Sequence, residues 1–340
     1  MSLTLIITLI ILGFIVSSAV FFMLYLIFTK IYLKFRIVGT CPANLCLVGR
    51  TVIVTGANKG MGYWVAMDFA KRGAKVILAC RNKTKGKEAV EKIQSETENK
   101  NVVFQSLNLA SFKSIRAFVQ EVKKNERRLD VLVNNAGVVR PNAVTEDGFH
   151  PTLQVNALGP FLLTILLIDL LKSTKHSRIV NVTTKEGSEH FDILEDLVDK
   201  SDSWFAYVRN YENSKKCLGL LMTSLSDKLQ RHEVTVQFAV PRPCRTDLQI
   251  YENLPEFLKF FKRHIFITFL CLEANESAVN TVFTALDHQV GNFMCKYYRD
   301  CEQWDPGHQD TEVDTYLRKK IWWKCVEYVQ LKPNEFSGLS

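Results

Sequence analysis

The sequence predicts a doubly wound α/β fold, a parallel sheet covered by helices on both faces, preceded by an apolar segment long enough to cross a bilayer. Three observations carry this expectation. From Arg50 onward, apolar runs of strand length alternate with longer amphipathic stretches. The first such run leads into a glycine-rich turn and then a helix, and residues 2–29 carry no charge at all. Repeated strand-helix alternation implies parallel strands joined by crossovers, with ligands at the carboxyl ends of the strands.

In chain order, 51–55, 75–79, 102–106, 130–134, 178–182 and 234–239 read as strands. Between them, 61–72, 85–96, 111–125, 153–173 and 211–230 read as helices. No interruption is long enough for a second domain, and no internal repeat of solenoid length is present. The chain has 340 residues, of which 47% are hydrophobic and 23% charged, so it can bury a substantial core and is neither disordered nor a small disulfide scaffold. Nine cysteines form an odd, scattered set without zinc-ribbon or paired spacing, which reads as reduced thiols. Cys295, Cys301 and His308 lack a fourth ligand at finger-like spacing, and no metal is expected. The net charge of +8 permits an anionic partner, but the basic residues form no single stripe and nucleic acid is not expected.

As a helix, residues 2–29 would extend roughly 40 Å at ~1.5 Å per residue, enough for a hydrocarbon core of ~30 Å. A cleaved signal peptide competes, but its apolar region is normally half as long, and cleavage after Ala19 would leave Phe21 to Phe28 exposed. Lys30, Lys34 and Arg36 follow at once, so the charge bias places the downstream domain in the cytosol. Asn82, Asn181 and Asn275 begin glycosylation sequons; the first falls beside the glycine-rich site and the second inside a strand, which agrees with cytosolic exposure.

Strand 51–55 runs into Thr55-Gly56-Ala57-Asn58-Lys59-Gly60-Met61-Gly62 and a helix. Glycines there permit a tight turn and close approach of backbone to a pyrophosphate, which the helix N-terminus favours. The spacing TGxxxGxG resembles the short-chain dehydrogenase/reductase superfamily, and other landmarks agree. Asn134-Asn135-Ala136-Gly137 follows the fourth strand, Gln154-Val155-Asn156 carries an asparagine where relatives keep one, and Tyr211-Glu212-Asn213-Ser214-Lys215 supplies a YxxxK pair. Local segments such as Ala79-Cys80-Arg81-Asn82, Asp147-Gly148-Phe149, Phe161-Leu162-Leu163-Thr164 and Lys296-Tyr297-Tyr298-Arg299-Asp300-Cys301 look like the membrane-anchored retinol dehydrogenase branch.

The resemblance implies a Rossmann-type single domain over 50–310 with a substrate lid near 249–272. An anchor over 1–29, a basic linker over 30–49 and a C-terminal amphipathic helix and tail over 311–340 complete the chain. It also implies dinucleotide contacts from Gly56, Asn58, Lys59, Gly60, Met61, Gly62, Arg81, Asn108, Leu109, Asn135, Ala136, Gly137, Tyr211, Lys215 and Thr246. NAD sites usually place a carboxylate after the second strand to bind the ribose 2′-hydroxyl, whereas this strand ends in Cys80-Arg81. Arg81 and Lys59 would instead receive a 2′-phosphate, which predicts NADP(H).

Tyr211 is the expected proton donor or acceptor; a free tyrosine titrates near ~10, and the Lys215 cation one helical turn on favours its ionised form. By resemblance Lys215 also holds the nicotinamide ribose, and Asn156 maintains a water-linked proton path. Thr184, in Val182-Thr183-Thr184, aligns with the family's catalytic serine but adds a methyl group. Further departures are Asn108 for an aspartate, Ala157-Leu158-Gly159-Pro160 for His-Leu-Gly-His, and Pro241-Arg242 for a Pro-Gly turn. Arg242 either obstructs the nicotinamide, points outward or binds phosphate.

Phe257, Phe260, Phe261, Phe266 and Phe269, mixed with Lys259, Lys262 and Arg263, suit either a membrane-surface element or an apolar face packed on the domain. Ile321, Trp322, Trp323 and Tyr328 pose the same choice near the C-terminus. The expected function is a membrane-anchored NADP(H)-dependent oxidoreductase of lipophilic alcohols and their aldehydes or ketones, single-pass in the endoplasmic reticulum and facing the cytosol. Its partners are a lipophilic substrate, the bilayer and, by analogy with relatives that pair through helices, a second copy. The competing expectation is a degenerate relative that keeps the fold as a nucleotide-binding or scaffold protein, motivated by Thr184, Arg242 and Asn108.

Overall fold

Val52 and Val54 face one way and Ile53 the other, and all three are fully buried, as a strand covered on both faces requires. The computed structural model describes residues 3–38, 45–184, 198–201, 203–244, 271–287, 295–305 and 312–336, with the single residues 259, 268 and 290. Thr246, His308, Cys41 and the lid phenylalanines Phe257, Phe260, Phe261, Phe266 and Phe269 lie outside the described residues.

The elements run α1 (Leu3–Val38), β1 (Thr51–Thr55), α2 (Gly60–Lys71), β2 (Lys75–Cys80), α3 (Lys83–Thr97), β3 (Val102–Ser106), α4 (Phe112–Asn125) and β4 (Val131–Asn134). Next, α5 (Pro151–Leu153) passes through a π turn (Gln154–Leu158) into α6 (Gly159–Lys172), followed by β5 (Ser177–Val182), α7 (Trp204–Lys228) and β6 (Val234–Ala239). Last come α8 (Ala274–Leu286), β7 (Tyr297–Arg299), β8 (Glu302–Trp304), α9 (Glu312–Tyr328) and α10 (Pro333–Phe336). The sheet order is β3-β2-β1-β4-β5-β6-β7-β8. Every pairing is parallel except β7 with β8. The order reverses between β1 and β4, which places the switch point where the glycine-rich turn and the Asn-Asn-Ala-Gly turn meet.

Two hydrophobic layers sandwich this sheet. One packs Val52, Val54, Val76, Val133 and Val180 against α2, α3 and α8; the other packs Ile53, Ile77, Leu132, Ile179 and Phe238 against α4, α6, α7 and α9. At the amino edge, Asp130 accepts from the Thr51 amide at 2.9 Å and from Arg128, joining β1 to the approach of β4. Asn181, the second sequon, is fully buried in β5, while Asn82 is exposed and caps α3 by accepting from the Lys85 amide at 2.9 Å.

The structure departs from the expected elements where local sequence signals are weak. Helix α1 does not stop with the apolar run at residue 29; it continues through Lys30 and Lys34 to Val38, since no glycine or proline intervenes before Gly39. Thr4–Tyr32 within it is long and apolar enough to be a candidate membrane span. The helix expected over 153–173 is continuous from Pro151 to Lys172 but carries the π turn, because Pro160 has no N–H to give the Asn156 carbonyl four residues back. Helix α7 begins at Trp204 rather than near residue 211, capped by the Ser203 hydroxyl, which accepts from the Ala206 amide at 3.1 Å. Elements α8, β7 and β8 were not anticipated.

At the C-terminus, docking separates two adjacent tryptophans. Trp322 is 4% exposed and meets the Phe161 ring edge-on at 5.2 Å, with the Lys228 ammonium 5.2 Å from its centroid; Trp323 is 60% exposed. Trp322→Ala is therefore predicted to cost about 3–5 kcal/mol, and Trp323→Ala under about 0.5 kcal/mol, by denaturant unfolding in detergent. Equal losses at the two positions would contradict this packing.

Candidate active site

Everything in the candidate site lies at the carboxyl ends of β1, β4, β5 and β6. Gly56 leaves β1 at φ +68°, and a Cβ on it would stand 3.0 Å from the Ala136 Cα. A Cβ on Gly62 would strike the Asn135 amide nitrogen and stand 2.7 Å from the Gly56 carbonyl oxygen. Only glycine fits these two positions, so the turn closes tightly against Asn135-Ala136-Gly137 and aims the first amides of α2 outward. Thr55 ties the two turns together: its hydroxyl donates to the Val133 carbonyl at 3.2 Å and accepts from the Asn135 and Ala136 amides, both at 3.0 Å. The Asn135 side chain donates to the Thr55 carbonyl at 2.8 Å. This cradle fits a dinucleotide pyrophosphate.

Lys59 stands at the N-cap position of α2 and is exposed, and Arg81 is exposed two residues beyond the Thr55–Ala79 pairing of β1 with β2. The two cations thus stand at adjacent strand ends. Asn108 is half-buried and turns its side-chain oxygen onto the Ala110 amide at 3.2 Å. Leu109 is 4% exposed in the core, so only its backbone is left to face a ligand, and its carbonyl oxygen lies 2.6 Å from where a Cβ on Gly159 would be. Asn58 and Met61 are half-buried at the turn.

The centre is built on α7. Lys215 is 3% exposed and donates from Nζ to the Val182 carbonyl, the last residue of β5, at 2.8 Å. Its Nζ stands 5.9 Å from the Tyr211 ring centroid and 3.5 Å from where a Cβ on Gly137 would sit. Tyr211 and Thr184 are half-buried. Asn156, in the π turn, accepts from the Val138 amide at 2.8 Å and donates to the Val138 carbonyl at 2.9 Å and to Ser214 Oγ at 3.0 Å. Ser214 in turn donates to the Tyr211 carbonyl at 2.6 Å. The structure therefore brings Tyr211, Lys215, Asn156, Gly137 and the β5 terminus together, and Ser214 and Thr55 join them without having been anticipated. Ser214 sits inside the YxxxK stretch, at the one intervening position that turns toward Asn156.

Arg242 does not turn toward Lys215. Its Nε donates to both oxygens of Asp300 at 2.9 and 3.1 Å, and Nη2 donates to Oδ2 at 2.5 Å. Asp300 follows β7, on the opposite side of β6 from β5, so the guanidinium is drawn away from the Lys215 side. The partner that the described contacts give Arg242 is none of those expected: it is the buried carboxylate of Asp300.

Burial lowers the Lys215 pKa from 10.5 to about 8. Between those values the unfolded chain keeps the proton that the folded chain has released, so this group makes stability rise with pH. Below about pH 8 the buried ammonium costs on the order of 3 kcal/mol. Cofactor-free Lys215→Met is predicted to be more stable than the parent near neutrality by about 1–2 kcal/mol, after loss of the Val182 hydrogen bond. The difference should shrink toward pH 10 in denaturant titrations; a variant less stable at pH 7 would contradict the assignment.

Comparison with known proteins places this geometry. Residues 50–196 match the family model described as short chain dehydrogenase. Retinol dehydrogenase 13 of Mus musculus is 37% identical over 298 residues, covering 86% of this chain and 87% of that protein. Among solved structures, a putative uncharacterized protein from Mycobacterium paratuberculosis superposes with a TM-score of 0.64 at 24% identity, over 85% of this chain and 97% of its own. A putative short chain dehydrogenase from Shigella flexneri, solved in complex with NADP, gives 0.59 at 21% identity, over 75% and 98%. The glycine cradle, the buried lysine beside a tyrosine and these likenesses together establish that the chain belongs to the short-chain dehydrogenase/reductase family, in its retinol dehydrogenase-like branch.

Proposed function

We propose that the chain is a membrane-anchored, NADP(H)-dependent oxidoreductase that interconverts a lipophilic alcohol with its aldehyde or ketone, working in the reductive direction. The observation that carries this reading is the Lys215 ammonium, buried one helical turn from Tyr211 and facing Gly137. A scaffold protein would gain nothing from an ammonium held at this cost.

The bound cofactor supplies or accepts the hydride. Gly56, Gly60, Gly62 and the Asn135-Ala136-Gly137 turn would hold its pyrophosphate and ribose side, with Asn58, Met61, Asn108, the Leu109 backbone and Thr246 around the remainder. In reduction the Tyr211 hydroxyl gives its proton to the oxygen of the former carbonyl, and the Lys215 cation favours the phenolate left behind. Thr184 orients the carbonyl through its hydroxyl. Asn156, clamped in both directions to Val138, holds the π turn against Ser214 and so fixes the backbone between Tyr211 and Lys215. Because Pro160 has no N–H, the Asn156 carbonyl lacks its i+4 helical donor, which supports a role for it in the water-linked proton path. Lys59 and Arg81, on neighbouring strand ends, would take the 2′-phosphate that distinguishes NADPH.

Retinoids, sterols and fatty aldehydes are the substrate class, a choice supported by the apolar N-terminal helix and by the name of the mouse relative. Cytosolic NADP pools are kept reduced, and a cytosol-facing domain on the endoplasmic reticulum would draw on them. The competing scaffold reading keeps Thr184, Asn108 and Arg242 as its motives, and the Arg242–Asp300 pair supports the enzyme against the last of them.

NADPH oxidation followed at 340 nm with retinal, steroid and aliphatic aldehydes tests the reading directly. Turnover should appear and fall at least ~10³-fold in Tyr211→Phe, the scale of a lost general acid; nucleotide binding without turnover across the panel would favour the scaffold. In the same assay Arg81→Asp should weaken NADPH far more than NADH. An equal effect on both would contradict the phosphate role.

A further inference from the structure

The apolar helix α1 is not a free tether. From Thr4 to Tyr25 its side chains are exposed, whereas Leu26 is 4% exposed and Thr29 and Lys30 are half-buried. These three positions share one helical face, and α1 packs along α8. Lys30 donates from Nζ to the Thr268 carbonyl at 2.8 Å. Lys30 is also the first charged residue of the chain, with Tyr25 and Tyr32 on either side of it, the pattern of a helix end leaving hydrocarbon for headgroups. The exposed stretch from Thr4 to Tyr25 extends roughly 33 Å, enough by itself to cross a core of ~30 Å. The seam with the domain therefore starts at the depth where hydrocarbon ends.

The seam also has a definite place on the sheet. Four residues beyond Thr268, Leu272 donates its amide to the Pro243 carbonyl at 2.9 Å and forms a parallel bridge with Cys244. Pro243 and Cys244 follow the carboxyl end of β6, next to Arg242, and α8 starts from that same edge. The Lys30–Thr268 contact thus lies within four residues of the contacts that tie Leu272 to the end of β6.

We propose that the start of α8, on the edge where Lys30 meets the Thr268 carbonyl, docks directly on the lipid headgroups, so that the carboxyl edge of the sheet, with Tyr211 and Lys215, faces the bilayer. A lipid-dissolved substrate then reaches the site without crossing bulk water. The proposal rests on the membrane reading of α1, and its orientation is independent of the chemistry assigned to the site.

Two exposed positions mark the two edges: Asn275 at the start of α8 and His232 in the turn that precedes β6, roughly 20 Å away along a six-residue strand. In the full chain with Cys41 and Cys46 replaced by serine, Asn275→Cys and His232→Cys are labelled with a fluorophore. The chains are then reconstituted in phosphatidylcholine vesicles that carry a headgroup nitroxide quencher, and the unmutated background is subtracted. Flotation is scored first. A chain that does not float with the vesicles overturns the anchor and the docking together. In floated chains, quenching several-fold stronger at 275 than at 232 is expected, and Leu26→Ser with Lys30→Gln should bring the 275 signal down toward that at 232. Equal quenching at both positions, stronger quenching at 232, or no response to the double variant would overturn the docking while leaving the catalytic reading intact.

Discussion

The site depends on one ammonium group kept out of water. Lys215 reaches from α7 to the end of β5, where a single carbonyl at 2.8 Å takes one of its three donors. Burial of that kind is unfavourable unless further acceptors arrive, and the space beside Gly137, bounded by Tyr211 and Asn156, is where they would have to come from. The neighbouring interactions hold this arrangement in place. Thr55 fastens the glycine turn to Asn135 and Ala136; Asn156 and Ser214 stitch the π turn to the stretch of α7 between Tyr211 and Lys215. A shift of any one element would move the ammonium relative to the phenol.

The far side of the same edge is braced differently. Arg242 replaces a glycine of the family pattern, yet its guanidinium is committed to Asp300 in a bidentate pair and its carbonyl accepts from Ser277 on α8 at 3.0 Å. The segment between β6 and Cys244 is thus held by β7 on one side and by α8 on the other, and α1 packs on that same α8. The seam of α1, this brace and the Lys215 centre thus all lie toward the carboxyl edge of the sheet.

Much of this was legible from sequence because the signals were local and redundant. Five of the six expected strands are buried apolar runs, the edge strand β3 burying only Val102, and the turn after β1 carries Gly56 and Gly62 where the packing leaves no room for a Cβ. What was not legible depends on contacts across the fold. The β7–β8 hairpin turns through Asp300 and Cys301 at φ 54° and 60° without a glycine, so the usual hairpin cue is missing. The partner of Arg242 lies 58 residues away. The capping box of α8 uses Glu273 with Glu276 rather than a serine or threonine, and it follows a stretch read as lid. Trp322 and Trp323 are indistinguishable by composition, and only docking on Phe161 assigns one to the core.

Proton uptake on cofactor binding tests the central claim most directly. If Lys215 is the buried cation of the nucleotide site, its lowered pKa must rise when ribose oxygens come to accept from its ammonium, and the chain must take up a proton just above pH 8. Calorimetric titration of the detergent-solubilised chain with NADPH, in two buffers of different ionisation enthalpy, measures that proton. The account predicts net uptake in the parent and none in Lys215→Met; binding without proton uptake in the parent would contradict it.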